Sequence, residues 1–326
     1  MSITVTGSIA TDHLMVFPGS FREQLVDDRL DRISLSFLVD DLQVRRGGVA
    51  ANIAFGLGCL GMAPILVGAV GPDFAEYQLW LKHHGVDTDS VHVSSSRHTA
   101  RFVCTTDAHD NQIASFYPGA MTESKQIDLG PIVGRAGPDI VLICPDDPDA
   151  MLLHTRQCRD LQVPFAADPS QQLARLGGDA IRSLVDGAEY LFTNDYEAGL
   201  LQAKTGWNTA EILSRVGAWL VTLGPDGVDV LRSDHSNVRV AAPKEQRRAD
   251  PTGVGDAFRA GFLAGRSWGL SDERAAQLGC TLATLVIEVV GTQEYWQGSD
   301  VLAVRIAEAY GPEAAADITP LLNDWE

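Results

Sequence analysis

The stretch DPTGVGDAF, residues 250–258, places two carboxylates around two glycines, a threonine and a proline. Pro251 keeps Asp250 out of the helical region, so the chain arrives extended. Gly253 and Gly255 open backbone conformations that other residues avoid. An apolar pattern through Ala257, Phe258, Gly261 and Phe262 then predicts a helix starting near Asp256. The first N–H groups of a helix lack partners and lie at the positive end of its dipole, so Gly253, Val254 and Gly255 form a candidate anion hole. An acid beside such a hole suits phosphoryl transfer: the hole holds the transferring group, and Asp256 takes the proton of an attacking hydroxyl. A plain helix cap is the competing explanation for Asp256.

Other stretches carry related chemistry, each with a structural alternative. In RRGGVAANIAFGLG, residues 45–58, Gly48 permits a close backbone approach. Asn52 is a mediocre helix former one turn in; it either hydrogen-bonds a hydroxylated ligand or is satisfied locally. GSIATD, residues 7–12, ends an apolar run with Ser8 and Asp12, and Asp12 either accepts two sugar hydroxyls or is a solvated loop acid. FTNDYEAGLL, residues 192–201, sets Asn194 and Glu197 on one side of a first helical turn. That spacing fits Mg²⁺ held through water, or a capping pair. TLGPDG, residues 222–227, is a strand and a tight turn that either holds a nucleotide or leads into a hairpin. GLGCLG, residues 56–61, matches GxGxxG, but it follows a helical run and precedes the strand PILVGAV. The dinucleotide fingerprint must follow a strand and open a helix, so these are small residues at a helix end.

The elements that must position these residues alternate along the chain. Apolar runs such as ITVTGS, DIVLICP, VPFAADP, YLFTND and AWLVTLG read as strands covered on both faces. Helical patterns such as DAMLLHTRQCRDL and GDAIRSLVDGA lie between them, which argues for a doubly wound α/β sheet. Two segments break the rhythm. One runs from about Leu14 to Arg46, where SLSFLVDDLQVRR reads as extended; the other is residues 98–120, two strands joined by a polar turn at 108–111. Together they predict a small β-sheet standing off the main body. The C-terminal third turns helical.

With 326 residues, the chain suits one large α/β domain with an appendage, or two modest domains. A net charge of −18 argues against a general nucleic-acid binder and against an anionic membrane surface. It leaves room for a phosphorylated small ligand, since backbone N–H groups hold phosphate on acidic proteins. The five cysteines are odd in number and lack CxxC spacing, which favours a reducing, cytoplasmic setting over disulfides or structural zinc. The N-terminal MSITVTGSIATDH reads as a first strand rather than a leader. No apolar run has bilayer-spanning length.

The ordered set GGVAAN, NDYE, TLGPDG and DPTGVGD resembles the ribokinase-like (PfkB) family of carbohydrate and nucleoside kinases. Within it, GSIATDHLM, SLSFLVDDL, HTARF with ASFYPGAM, AADPSQQLARL, and DPTGVGDAFRAGF with GTQE are similar to the actinobacterial type of adenosine kinase. The resemblance implies a mostly parallel doubly wound sheet flanked by helices in a single domain over 1–326. A β-sheet lid would come from insertions at about 13–46 and 97–120. It implies ATP-dependent phosphorylation of the adenosine 5′-hydroxyl to AMP, a purine-salvage reaction, with Asp256 as base and the 253–255 turn on the γ-phosphate. Asp12, Gly48 and Asn52 would hold the ribose, with Ser8 and Ser36 assisting. Phe102 and Phe116 would flank the adenine, and Gln171 and Gln172 would read its edge. Asn194 and the turn Thr222, Leu223, Gly224, Pro225, Asp226 and Gly227 would contact ATP, with Glu197 organising Mg²⁺. Asp250 and Thr252 stand where relatives bind a monovalent cation such as K⁺. Here the sequence departs from the family: Pro251-Thr252 replaces the commoner Asp-Thr directly before the glycine.

Both lid phenylalanines face one side only if an odd number of residues forms the hairpin loop. A two-residue loop at His109-Asp110 would put them on opposite faces and turn one toward a neighbouring subunit. An exposed lid edge is a natural dimer surface, so a homodimer is expected. The competing functions are a sugar kinase with an apolar lid, a non-catalytic nucleotide-binding regulator, and, more distantly, a Rossmann oxidoreductase.

Overall fold

A computed structural model describes residues 2–25 and 34–322. In chain order its strands are β1 (Ile3–Thr6), β2 (Ala10–Val16), β3 (Asp41–Gly47), β4 (Ile65–Val67), β5 (Ala69–Val70), β6 (His92–Val93) and β7 (Ala100–Thr106). They continue with β8 (Gln112–Tyr117), β9 (Ile140–Ile143), β10 (Phe165–Ala167), β11 (Tyr190–Asn194), β12 (Ala218–Thr222), β13 (Val228–Leu231) and β14 (Val238–Val240). Eight form the central sheet in the order β14-β13-β12-β11-β10-β9-β1-β4. All its pairings are parallel except those of β13 and β14. The run PILVGAV divides, its first half pairing with β1 and its second with β6 in a two-stranded sheet.

Successive side chains of each central strand enter opposite cores. Ile3, Val5, Leu142, Phe192 and Leu220 pack under helices Val49–Cys59, Val254–Ser267 and Asp272–Ile287. Ile65, Val141, Ile143, Leu191 and Trp219 pack under helices Leu129–Ala136, Pro148–Asp160 and Gly178–Val185. This is the expected ribokinase-like α/β architecture. The GLGCLG segment ends the helix Val49–Cys59, where a Cβ at Gly58 would collide with the His84 carbonyl. Its glycines therefore serve packing.

Strand order reverses between β4 and β9, on either side of β1. In open α/β sheets the crevice outside the strand carboxyl ends at such a point is where ligands bind.

The lid is a second sheet, ordered β3-β2-β7-β8. Residues 26–33 of the first expected insertion lie outside the described residues, and 34–39 form no strand, so only the end of SLSFLVDDLQVRR is β-structure. The hairpin turns as the phenylalanines require. Asp107 N–H donates to the Asn111 carbonyl at 2.9 Å, leaving the three-residue loop 108–110, with Asp110 left-handed at φ 62°. Phe102 and Phe116 are therefore directly paired and share one face. All five cysteines are free and buried.

Candidate active site

The crevice at the strand-order reversal is a cavity of about 460 Å³. Ser8 follows β1, Asp146 follows β9, and Gln171 and Gln172 follow β10. Asp12 and Phe116 reach in from the lid, Asn52 from its helix, and Gly253 and Asp256 from the 250–256 turn. Sequence reasoning had named all of these but Asp146. Phe102 belongs to the same lid face, whereas Ser36 is exposed and away from the cavity wall.

Asp12 is not a solvated loop acid. It lies on β2 of the lid, opposite Arg45 and Phe102, and burial, reinforced by the Asp250 charge, raises its carboxyl to about 6. Ser8 Oγ accepts the Val49 N–H at 3.1 Å and so caps the helix that carries Asn52. Gly48 precedes that helix at φ 95°, with Ser8 O and Ala10 N each 2.6 Å from where a Cβ would stand.

The 250–256 turn gives its two acids different surroundings. Asp250 Oδ1 accepts the Thr252 N–H at 2.9 Å and Oδ2 accepts the Gly291 N–H at 3.3 Å. With both oxygens committed to backbone donors, Asp250 folds the turn. The helix begins at Val254, two residues before the sequence expectation, because Gly253 takes φ 81° and ends the turn itself. Asp256 thus occupies the third helical position. Among the described residues the N–H groups of Gly253, Gly255 and Asp256 make no backbone hydrogen bond, and Val254 N reaches Pro251 O only at 3.5 Å.

Asn52 is not satisfied locally. Its Nδ2 donates to Asp256 Oδ2 at 2.8 Å, while its Oδ1 accepts from Gln293 Nε2 at 2.9 Å and lies 2.9 Å from Thr292 Oγ1. Gln293 Nε2 also donates to Tyr77 Oη at 2.6 Å, and Trp80 Nε1 donates to Gln293 Oε1 at 3.0 Å. These donors fix the Asn52 amide so that its N–H faces the carboxylate. Burial nevertheless raises Asp256 to about 6, opposed by the Asn52 hydrogen bond and the Arg259 charge. A carboxylate so placed accepts a proton near neutral pH.

Several contributors escaped sequence reasoning. Asp146 is buried, and burial raises its carboxyl to about 7, opposed by hydrogen bonds from the Asp147 N–H and the Ser124 hydroxyl. Gln172 Nε2 donates to the Asp146 carbonyl at 2.7 Å, leaving Gln172 Oε1 buried and unpartnered. Thr292, Gln293, Asp168 and Arg259 lay within quoted stretches without a role, because their partners are far off in sequence.

On the other side of the turn lies a second cavity of about 320 Å³. Pro251, Val254 and Gly255 line it while Thr252, Gly253 and Asp256 of the same turn line the first cavity, and Thr222, Gly224, Pro225 and Gly227 form another of its sides. Asn194, Leu223 and Asp226 stand off it. Ala242, Pro243, Ala283 and Ile287 add an apolar slot that the motifs had not indicated. The 222–227 turn both joins β12 to the antiparallel β13 and faces this cavity. Asn194 and Glu197 form the capping box: Glu197 N–H donates to Asn194 Oδ1 at 2.7 Å, and Asn194 N–H to Glu197 Oε2 at 2.8 Å. Among the described residues Glu197 Oε1 has no hydrogen bond, so Glu197 would be able to hold Mg²⁺ through water.

Two cavities meeting across a glycine turn with free N–H groups, and a half-buried carboxylate at the junction, fit a phosphotransferase acting on a hydroxyl. Residues 12–297 match the model of the pfkB family carbohydrate kinases, and the chain belongs to that family. A nucleoside kinase of Burkholderia thailandensis in complex with inosine is 35% identical, with a TM-score of 0.82 over 95% of this chain and 98% of that one. The nucleoside kinase structure from Methanocaldococcus jannaschii is 25% identical, with a TM-score of 0.83 over 94% and 98%. A nucleoside kinase sequence of that organism is 28% identical over 76% of this chain and 80% of its own length.

Proposed function

We propose that this kinase transfers the γ-phosphoryl group of ATP to the 5′-hydroxyl of a nucleoside. The observation that carries this reading is Asp256, oriented by Asn52 and standing on the wall between the two cavities. The nucleotide lies in the 222–227 cavity, with its γ-phosphate at the free N–H groups of the turn. The nucleoside lies at the strand-order reversal, its ribose between Asp12 and Asn52. Asp256 takes the 5′-hydroxyl proton, the 5′-oxygen bonds to the γ-phosphorus, and the bond to the bridging oxygen breaks to release ADP. Glu197 would hold Mg²⁺ through water, and the ion would supply positive charge to offset that of the phosphates.

Phe116, half exposed on an open lid, supports a base rather than a bare sugar as the group to be covered. So does Gln172 Oε1, buried and unpartnered among the described residues, which suits an N–H donor of a base. Adenosine is one such acceptor. The inosine-bound relative supports the wider nucleoside class better than adenosine alone. ADP release from Mg-ATP with adenosine, inosine, guanosine, cytidine, ribose and fructose tests the reading. Turnover of nucleosides is expected, and turnover of free sugars alone would sink it.

We read the chain as one kinase domain that dimerises through the lid. Register puts Leu42, Val44, Ile113 and Tyr117 on the lid face opposite Asp12, all exposed. An apolar face of this kind favours a partner. Light scattering is expected to give a dimer mass at micromolar protein, and Leu42→Asp a monomer. A monomeric wild type would count against the interface.

A further inference from the structure

A buried charge pair lies directly beneath the catalytic turn. Arg259 projects from the second turn of the helix Val254–Ser267 and is almost fully buried, as is Asp168 in the loop after β10. Arg259 Nη2 donates to Asp168 Oδ1 at 2.7 Å, and Nε stands 2.6 Å from Oδ2. Ser170 Oγ donates to the same Oδ1 at 2.7 Å, on the loop that presents Gln171 and Gln172. The third arm of the guanidinium, Nη1, donates back to the Gly255 carbonyl at 3.0 Å.

Such a pair is poorly explained by stability. Desolvating two charges commonly costs as much as their attraction returns, and apolar replacements are often as stable. The Gly255 contact indicates another role. The peptide whose carbonyl is Gly255 O carries the Asp256 N–H, one of the free donors of the anion hole. A charged donor on that carbonyl polarises the peptide and strengthens the N–H at its other end. The same cation lies close enough to lower the Asp256 carboxyl.

We propose that Arg259, clamped by Asp168, is a positioning residue for phosphoryl transfer: it fixes and polarises the 255–256 peptide and lends Asp256 the positive charge that keeps it a base. The clamp also ties the loop facing the acceptor to the turn facing ATP. The groups facing Asp256 are Asn52 from its helix, Arg259 from its own, and Asp168 from the loop. Cys144, Tyr77 and Tyr295 feel its charge but are held neutral by burial.

The inference rests on the kinase reading, so the first arm of its test needs no acceptor. Protein labelled with ¹³C at the aspartate carboxyls is titrated by NMR, with Asp256→Asn assigning the signal. Arg259→Met is expected to raise the Asp256 midpoint by about one unit, and Arg259→Lys to leave it in place. Equal midpoints in wild type and Arg259→Met overturn the electrostatic half. The second arm is kinetic. Arg259→Lys is expected to lose about tenfold in kcat with KM for ATP unchanged, since an ammonium lacks the fork that holds Asp168 and the Gly255 carbonyl together. Full kcat in Arg259→Lys overturns the positioning half. Should Arg259→Met fail to fold, with Asp168 left bare, Asp168→Asn with Arg259→Met removes both charges. An upward shift is still expected there, because Arg259 outweighs Asp168 at Asp256. Wild-type protein inactive on every acceptor sinks the kinase reading, and the titration still decides this one.

Discussion

Replacing Asp256 by asparagine separates chemistry from stability, because the two side chains have the same shape and Asn52 can donate to either. Burial moves the native carboxyl from 3.8 to about 6. A folded pKa above the unfolded one means that the ionised group costs stability above the folded value and costs nothing below the unfolded one. A shift of about two units corresponds to about 3 kcal/mol at neutral pH. The carboxylate faces a solvent-filled cleft, so about half of that is expected to be realised. Asp256→Asn should therefore be more stable than wild type by about 1–2 kcal/mol at pH 8, or about 1.5–3 °C in Tm. The gain should shrink at pH 5, where the wild-type carboxyl is largely protonated. Turnover should fall by about 10²–10⁴. Denaturant unfolding at both pH values, with ADP release on the same preparations, measures all three quantities. A variant less stable than wild type at pH 8, or equally stabilised at both pH values, refutes the burial argument. Near-normal turnover removes Asp256 as the base.

Two acids at about 6, Asp256 and Asp12, predict that kcat/KM falls as pH drops below that value, and a flat profile down to pH 5 would exclude both from the reacting state. Phe116→Ala is expected to raise KM for nucleosides by about tenfold or more, the loss of an apolar cover worth about 1.5–3 kcal/mol, with kcat little changed. An unchanged KM would make that ring structural. Gly48→Ala puts a Cβ 2.6 Å from two backbone atoms at φ 95°. It should cost about 1–3 kcal/mol in thermal unfolding, and wild-type stability would mean that the β2 root yields easily.

Much of the fold was legible because buried parallel strands leave continuous Val, Ile and Leu runs, and glycine turns punctuate them. The acceptor side was legible where one short stretch supplies both backbone and side chain, as at Gly48 and Asn52. What stayed hidden depends on contacts across the chain. Asn52 looked like a ligand residue or a local cap, and its actual neighbours, Asp256, Thr292 and Gln293, lie more than 200 positions away. The apolar slot of Ala242, Pro243, Ala283 and Ile287 has no motif, since any small or flat residue makes such a wall. Ser36 was placed by wording alone, and the chain around it has no strand to hold it at the cavity.

All four lid strands begin or end at one root, where Ala10 pairs with Gly47 and Ala100, and Arg101 with Tyr117. That root is clamped to the body. Arg45 donates to the Val290 carbonyl at 3.0 Å, Tyr77 Oη to the Gly47 carbonyl at 3.0 Å, and Arg101 to Asp73 at 2.5 Å. The far ends, at Asp41 and the 107–111 turn, are bonded within the lid. The lid is thus a cantilever. Any movement of its free end pivots on a root that the body holds in place. Asn52 and Asp256 sit at the root, so the lever can admit and release an acceptor without disturbing the alignment that the chemistry needs.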